Sequence, residues 1–320
     1  MALNQEIWRK YILDQLASSS EFLAHAYRVD EDNIVNGKIV HMPNAGADPV
    51  VTKNRSTLPA TVVSRTDTDV VYLLDEFTTA PVNITDVEKV ELSYNKIESV
   101  LGAHVRALRE AIGDWTLFDW LTKNANTSAN TPVAWTAGKY IASSGAVGVG
   151  NGPNSQSLAK LTSANLAAAR LMMNKLNVPK ENRFCLLPSI MYDELMAEFA
   201  ISAVANIELL KSTNLPDGVL TRLYGFNIME RSSVALMTKA TPTVVAPGTT
   251  EANTHAYAAV CWQKDMVESA IGEIKMFENV NDPTYYGDIY SALVRAGGRA
   301  RWGDAKGVIP IVQAAVQAAT

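Results

Sequence analysis

The chain has 320 residues, enough for one large domain or two to three small ones, and carries 28 Lys and Arg against 33 Asp and Glu. A formal net charge of −5 leaves no domain-wide basic surface for tight nucleic-acid binding, so any polyanion contact must be local. Charged residues are 19% and hydrophobic residues 48%, a polar deficit that points to surface covered by partners, yet no apolar run is long enough to span a membrane. In chain order, Ile7, Trp8, Tyr11, Ile12 and Leu16 stand at helical spacing before Ser18-Ser19-Ser20, Phe22 and Leu23, a helical arm with a break. This opening lacks the basic head and apolar stretch of a secretory signal. The chain is therefore expected to act without export or a removed propeptide, and the sequons at Asn54, Asn83 and Asn126 read as chance matches.

Residues 34–84 change character. The β-rich runs Lys38–Met42, Ala60–Val63 and Asp69–Leu74 are separated by Pro43, Gly46, Pro49 and Pro59, and Asn36-Gly37 is a type I′ turn signal. Between the runs, Asn44–Leu58 carries Lys53, Asn54 and Arg55 but almost no large apolar residue. Such a hairpin has little to pack against within its own chain. From Ser93 the period becomes 3.6 through Ile97, Leu101, His104, Leu108, Ile112, Trp115 and Phe118, which predicts a rod of about 45 Å. Gly102 and Gly113 weaken it, so neighbours are expected to hold it straight.

Residues 124–160, rich in Asn, Ser, Gly and Thr, read as a flexible loop. Thr162 or Ser163 then caps a helix through Leu166, Ala169, Arg170, Met173 and Leu176 that stops before Pro179. Arg183–Leu187 is a short buried strand, Pro188 opens a helix with Met191, Leu195 and Met196, and Ala200–Leu210 is a further helix candidate. Strands follow at Leu223–Met229 and His255–Trp262, an alternation that indicates a compact α/β or α+β unit. Glu268–Val312 is expected to be mostly extended, with Gly287, Gly297-Gly298, Gly303 and Gly307 as turns, and to return beside the rod.

Few residues carry chemistry. Cys185 and Cys261 exclude a disulfide scaffold, and each lies in an apolar run as an inert core thiol. His25, His41, His104 and His255 are scattered without a compact zinc motif, and His104 on the rod's stripe reads as a core imidazole. Ser157-Leu158-Ala159-Lys160 matches S-x-x-K, but its companion motifs are missing. Asp30-Glu31-Asp32-Asn33 starts like a calcium loop, but Val35 replaces the glycine and His41 the bidentate glutamate. The glycine-rich segment near Gly145 lacks the phosphate-loop pattern. No catalytic, cofactor or metal site is therefore expected. Lys53, Asn54 and Arg55 at the hairpin tip, with Arg295, Arg299 and Arg301 near the end, are the candidates for contact between subunits. Period-two spacing puts Arg299 and Arg301 on one sheet face, where they could meet acids of another copy.

The order of parts is more specific than any one of them. Thr85-Asp86-Val87-Glu88 leading to Leu92–Lys96 before the rod resembles the lead-in to the spine helix of tailed-bacteriophage major capsid (coat) proteins of the Hong-Kong-ninety-seven-type fold. Asn182–Ser189 with Tyr192–Leu195 resembles the strand-to-helix step of that family's axial domain, and Gly218–Leu220 with Leu223–Ile228 and Arg231–Ser233 resembles another recurrent stretch of the family. Tyr286–Asp288, Arg295–Arg299 and Gly307-Val308 resemble its closing peripheral strands. The resemblance implies an α+β chain with an N-terminal arm at 1–29 and an extended β-hairpin loop (E-loop) with flanking strands at 30–86. It further implies the spine helix of the peripheral (P) domain at 87–127, an axial (A) domain at 128–257, and peripheral strands with the C-terminus at 258–320.

In function, the resemblance implies a structural protein and no enzyme. Copies would form hexamers and pentamers of an icosahedral head, assembled in the bacterial host cytoplasm and enclosing double-stranded DNA held by weak, non-specific contact. A separate scaffolding protein, a portal and decoration proteins would be its partners, with no membrane and no cofactor. Each E-loop would lie over a neighbour's peripheral domain, without covalent cross-links. The alternatives are an encapsulin-like nanocompartment shell, a minor decoration or tail component, and, from another class, a soluble serine hydrolase using Ser157 and Lys160.

Overall fold

The computed structural model describes residues 21–29, 34–35, 38–44, 51–56, 59, 62, 64, 68–85, 96–123, 135–201, 219–302 and 305–314. The expected arm helix, the Asn36-Gly37 turn, the group at Asp30–Asn33, the Ala60–Val63 strand and the Ala200–Leu210 helix lie wholly or largely outside them. A short 3-10 turn at Glu21–His25 leads to β1 (Tyr27–Arg28), β2 (Ile34–Val35), β3 (Ile39–Asn44), β4 (Thr68–Leu73), β5 (Asp75–Thr78) and β6 (Val82–Thr85). Helix α1 (Lys96–Thr122) follows, then β7 (Ile141–Ala142), α2 (Ser163–Lys175), β8 (Arg183–Pro188) and α3 (Ser189–Ile201). Strands β9 (Thr221–Leu223), β10 (Phe226–Arg231), β11 (Ala235–Thr238), β12 (His255–Gln263), β13 (Val267–Asp282), β14 (Gly287–Ala300) and β15 (Val308–Val312) complete the described elements.

These strands form three sheets. The long antiparallel pair β13–β14 carries β1 on one edge and both β5 and β6 on the other. A seven-stranded sheet runs β7-β15-β12-β8-β10-β9, with β11 also on β12, and a small sheet joins β2, β3 and β4. The expected domain division at 257/258 falls inside β12, and β15 pairs with β12. The seven-stranded sheet thus draws strands from both sides of that division, because β12 is apolar on both faces and β8 and β15 cover both its edges.

Helix α1 ties the two larger sheets together. Its 27 residues rise about 40 Å. Val105, Leu108 and Ile112 pack on Ala292, Val294 and Ala296, alternate residues on one face of β14. One turn later, Leu117, Phe118, Trp120 and Leu121 enter a different core, with Phe184, Leu186, Met229, Val260 and Trp262 from the seven-stranded sheet. Gly113 leaves the space that Arg231 uses to reach Asp114 at 2.5 Å; a Cβ there would stand 3.1 Å from the guanidinium.

The seven-stranded sheet is covered on both faces. Phe184 and Leu186 face α1, whereas Cys185 and Leu187 face Leu166, Ala169 and Met173 of α2 and Met191 and Leu195 of α3. That double burial is why Arg183–Pro188 shows no exposed position. Helix α2 starts where expected, with Thr162 and Asn165 exchanging the two hydrogen bonds of a capping box.

Three expectations change. The run Leu223–Met229 is a hairpin rather than one strand: Tyr224 and Gly225 both take positive φ, and β9 turns back antiparallel onto β10. Gly297-Gly298 is no turn but lies inside β14, where a Cβ on Gly298 would stand 2.6 Å from the Glu268 carbonyl oxygen and 2.9 Å from Trp120 Nε1. The described part of the glycine-rich segment is tied down instead of being a free linker. The Gly145 amide donates to the Lys160 carbonyl at 3.0 Å, Gly148 donates to Leu158 at 2.9 Å, and buried Asn151 both donates to and accepts from Leu158. Its glycines serve close approach, since a Cβ on Gly145 would stand 2.7 Å from the Lys160 carbonyl oxygen.

Candidate assembly interface

The β3–β4 hairpin buries one face at its base. Val40, Tyr72 and Leu74 pack with Val29 and Ala270, while the alternate residues Val71 and Leu73 are exposed. Toward its tip the described residues 51–56, which include Lys53, Asn54 and Arg55, are all exposed. Val51 and Val62 are 93% and 94% exposed, far beyond what valine keeps within a finished core. Asn54 holds a turn with φ 54°, and the Arg55 guanidinium donates to Thr52 Oγ1 at 3.5 Å. A second exposed apolar group, Phe277, Val280, Tyr285 and Tyr286, marks the far end of the β13–β14 ribbon.

Beneath the hairpin lies a buried ionic junction. Lys123, just past α1, donates to Asp119 Oδ2 at 2.8 Å and to Asp75 Oδ2 at 3.0 Å. Asp119 Oδ2 also accepts the Gly298 amide at 3.3 Å. Burial pushes the Asp119 carboxyl up from 3.8 to about 7, and the Lys123 charge opposes this without cancelling it. Beside it, Arg299 donates from Nε to Glu268 Oε1 at 2.5 Å and lies over the Tyr72 ring, 5.0 Å from its centroid. Burial first, and then the Glu268 charge, push the Tyr72 hydroxyl well above its usual pKa. Trp120 Nε1 donates to the Glu268 carbonyl at 2.9 Å. Residues of α1, β4, β5, β13 and β14 thus meet at the root of the hairpin.

The three arginines expected at a subunit contact are engaged within their own chain. Arg295 pairs with Glu76 at 3.0 Å and Glu273 at 2.9 Å, both across neighbouring strands. Arg299 and Arg301 do share a face, but the carboxylate between them is Glu268 of the same chain, at 2.5 and 3.6 Å. Arg299 is buried there and is corrected from a contact candidate to an internal ion pair. Arg301 also covers Tyr27 at 4.2 Å. Lys53, Asn54 and Arg55 are left as the freely presented group. Sequence reasoning missed Tyr72, Asp75, Asp119, Lys123 and Glu268. The legible signal was Asp119 and Lys123, an i,i+4 pair set inside the apolar run Leu117, Phe118, Trp120 and Leu121.

Among the described residues, no group of three or more His, Cys, Asp or Glu side chains could hold a metal ion. His104 is buried on α1, and burial lowers its pKa. His25 stacks on Phe184 at 4.2 Å, and His255 Nδ1 accepts the Ala252 amide. Ser157 is exposed at the surface of the tied loop, and Lys160 contributes backbone hydrogen bonds there. No described helix is long and apolar enough to cross a membrane.

The described fold thus combines a projecting hairpin, a long helix against the β13–β14 ribbon and a seven-stranded sheet flanked by helices. Its match to solved capsids spans nearly the whole molecule. The cyanophage Pam1 capsid superimposes with a TM-score of 0.62 at 11% identity, covering 94% of each chain. The capsid of cyanophage P-SCSP1u gives 0.59 at 19% identity, covering 92% of this chain and 87% of that one. The capsid of Ralstonia phage GP4 gives 0.59 at 14%, covering 92% and 88%. No curated protein matches in sequence. The family described as phage capsid protein matches residues 22–311, and this chain belongs to that family.

Proposed function

We propose that this chain is the major capsid protein of a tailed phage, a structural protein and not an enzyme. Copies assemble as hexamers and pentamers into an icosahedral head around double-stranded DNA. The observation that carries this reading is the hairpin. Its root is locked into the body by the Asp119–Lys123–Asp75 junction, yet residues 51–56 bury nothing. Burial absent from one copy is supplied by the next, with Lys53, Asn54 and Arg55 lying over a neighbour's β13–β14 ribbon. Arg295 and Arg301, partly exposed, line the same ribbon and serve as secondary contacts.

In domain terms, residues 1–29 act as the arm, 30–86 as the E-loop and 87–127 as the spine helix. The A domain centres on α2, α3 and the seven-stranded sheet, and the β13–β14 ribbon is the rest of the P domain. A net charge of −5 suits a container that holds its genome by weak, non-specific contact. Assembly in the host cytoplasm around a separate scaffolding protein, with a portal and decoration proteins, completes the scheme, and the mature location is the virion. Electron microscopy of the expressed chain, with and without a co-expressed scaffold, tests it. Closed shells or capsomers are the expected result; a compact monomer under both conditions would refute it.

A further inference from the structure

We propose that Cys185 and Cys261 are a hidden modification site: a dithiol at the centre of the seven-stranded sheet that a small-molecule disulfide converts to one intrachain disulfide. The two residues face each other directly across the antiparallel ladder of β8 and β12. Their sulfur atoms are 2.9 Å apart, and both side chains are fully buried. Opposed residues of an antiparallel pair hold their Cα atoms about 4.5–5.5 Å apart, inside the roughly 4.4–6.8 Å that a disulfide spans. Closure therefore asks for side-chain rotation and no strand displacement. The chain has no other cysteine, so no rival intrachain pairing exists.

The surroundings decide when the site reacts. Leu187, Ile228, Ala259 and Ile309 line the same core. Burial and the adjacent Cys185 push the Cys261 thiol up, so thiolate is scarce while the sheet is closed. Exchange therefore proceeds on chains whose β8–β12 ladder is open, during folding or local unfolding. One cysteine thiolate attacks the reagent disulfide, forming a mixed disulfide and expelling one thiolate, which takes up the proton lost. The second cysteine attacks the protein sulfur of that mixed disulfide and expels the other thiolate, which is protonated likewise. Two protein thiols are oxidised to one disulfide, and one reagent disulfide is reduced to two thiols. The bond joins positions 76 apart in sequence and restricts the unfolded chain strongly.

The test refolds the full chain from urea in a buffer of oxidised and reduced glutathione, then alkylates free thiols with N-ethylmaleimide in denaturant and measures intact mass. The expected product is lighter than the dithiol by two hydrogen atoms, carries no adduct, and unfolds at higher urea than the same sample treated with dithiothreitol. Cys185→Ser and Cys261→Ser should each yield one alkylated or glutathionylated thiol, with no gain in midpoint in oxidising over reducing buffer. Two alkylated thiols in the parent chain, two glutathione adducts, or an oxidised chain less stable than the reduced one would overturn the proposal. A gain in midpoint on oxidation that persists in either serine variant would overturn it as well.

Discussion

The seven-stranded sheet and the root of the β3–β4 hairpin are held by different physics. The centre of the sheet excludes water on both faces: every residue of β8 is buried, and Trp262 packs on Trp120 and Phe184 with ring centroids 5.4 and 5.8 Å apart. The hairpin root buries one face and relies on two groups of ion pairs, Asp75–Lys123–Asp119 and, beside it, Glu268–Arg299. Apolar burial favours one closed state and loses little over a range of pH. A buried ionic junction depends on every partner and on protonation. One region is finished within the chain, while the other anchors an arm whose tip is left open.

The sharpest break of this comparison falls on the sheet. Trp262→Ala removes a fully buried indole and its 3.0 Å hydrogen bond to the His25 carbonyl. It should destabilise the chain by about 3–5 kcal/mol in urea unfolding. If the loss were under 1 kcal/mol, the sheet would not be the closed apolar core described above. At the hairpin root, Lys123→Ala leaves Asp119 buried without its main counter-charge, which should cost about 3 kcal/mol at pH 8. The loss should be smaller at pH 5, where Asp119 carries a proton; an equal loss at both pH values would contradict the ionic account.

A subtler probe is pH itself. The folded pKa of Asp119, about 7, lies above its ordinary value of 3.8, so the folded chain holds this proton more tightly than the unfolded chain does. Its contribution is complete below the ordinary value and is lost as pH rises through about 7. Asp119→Asn should therefore flatten the fall in stability between pH 4 and 7, by on the order of 1–3 kcal/mol across that window. Urea midpoints measured at four pH values give the slope, and an unchanged slope would move the titration elsewhere. The smallest effect on stability belongs to the tip. Lys53→Ala with Arg55→Ala should alter unfolding by less than about 0.5 kcal/mol, yet reduce the yield of closed particles in electron micrographs. A normal particle yield would remove the tip from the interface.

Much of the fold was legible in local pattern. The 3.6 period from Leu108 to Phe118, the Thr162 cap and the apolar run at Phe184–Leu187 correspond to α1, α2 and β8. Glycine was harder to read, because sequence shows the missing side chain but not its reason. At Gly225 it allows positive φ, at Gly298 it admits an indole, and at Gly145 it admits a carbonyl. Arg299 was misplaced for a related reason. Period-two spacing placed Arg299 and Arg301 on a common face correctly, but their carboxylate, Glu268, comes from the adjacent strand, whose register a bulge after Ile271 displaces.

By itself the sequence determined the long helix α1, the capped helix α2, the strands β8 and β12, and that Lys53–Arg55 sits in a stretch with nothing to bury. Those properties follow from backbone preference and hydrophobic period, which act over a few neighbouring residues. Only the tertiary structure decided that Asp119, Lys123 and Asp75 form one junction, that Arg299 is internal, and that Cys185 faces Cys261. Each of these pairings joins different elements of the fold or reaches across to one, and only packing brings such groups within the few ångströms at which charge and sulfur chemistry operate.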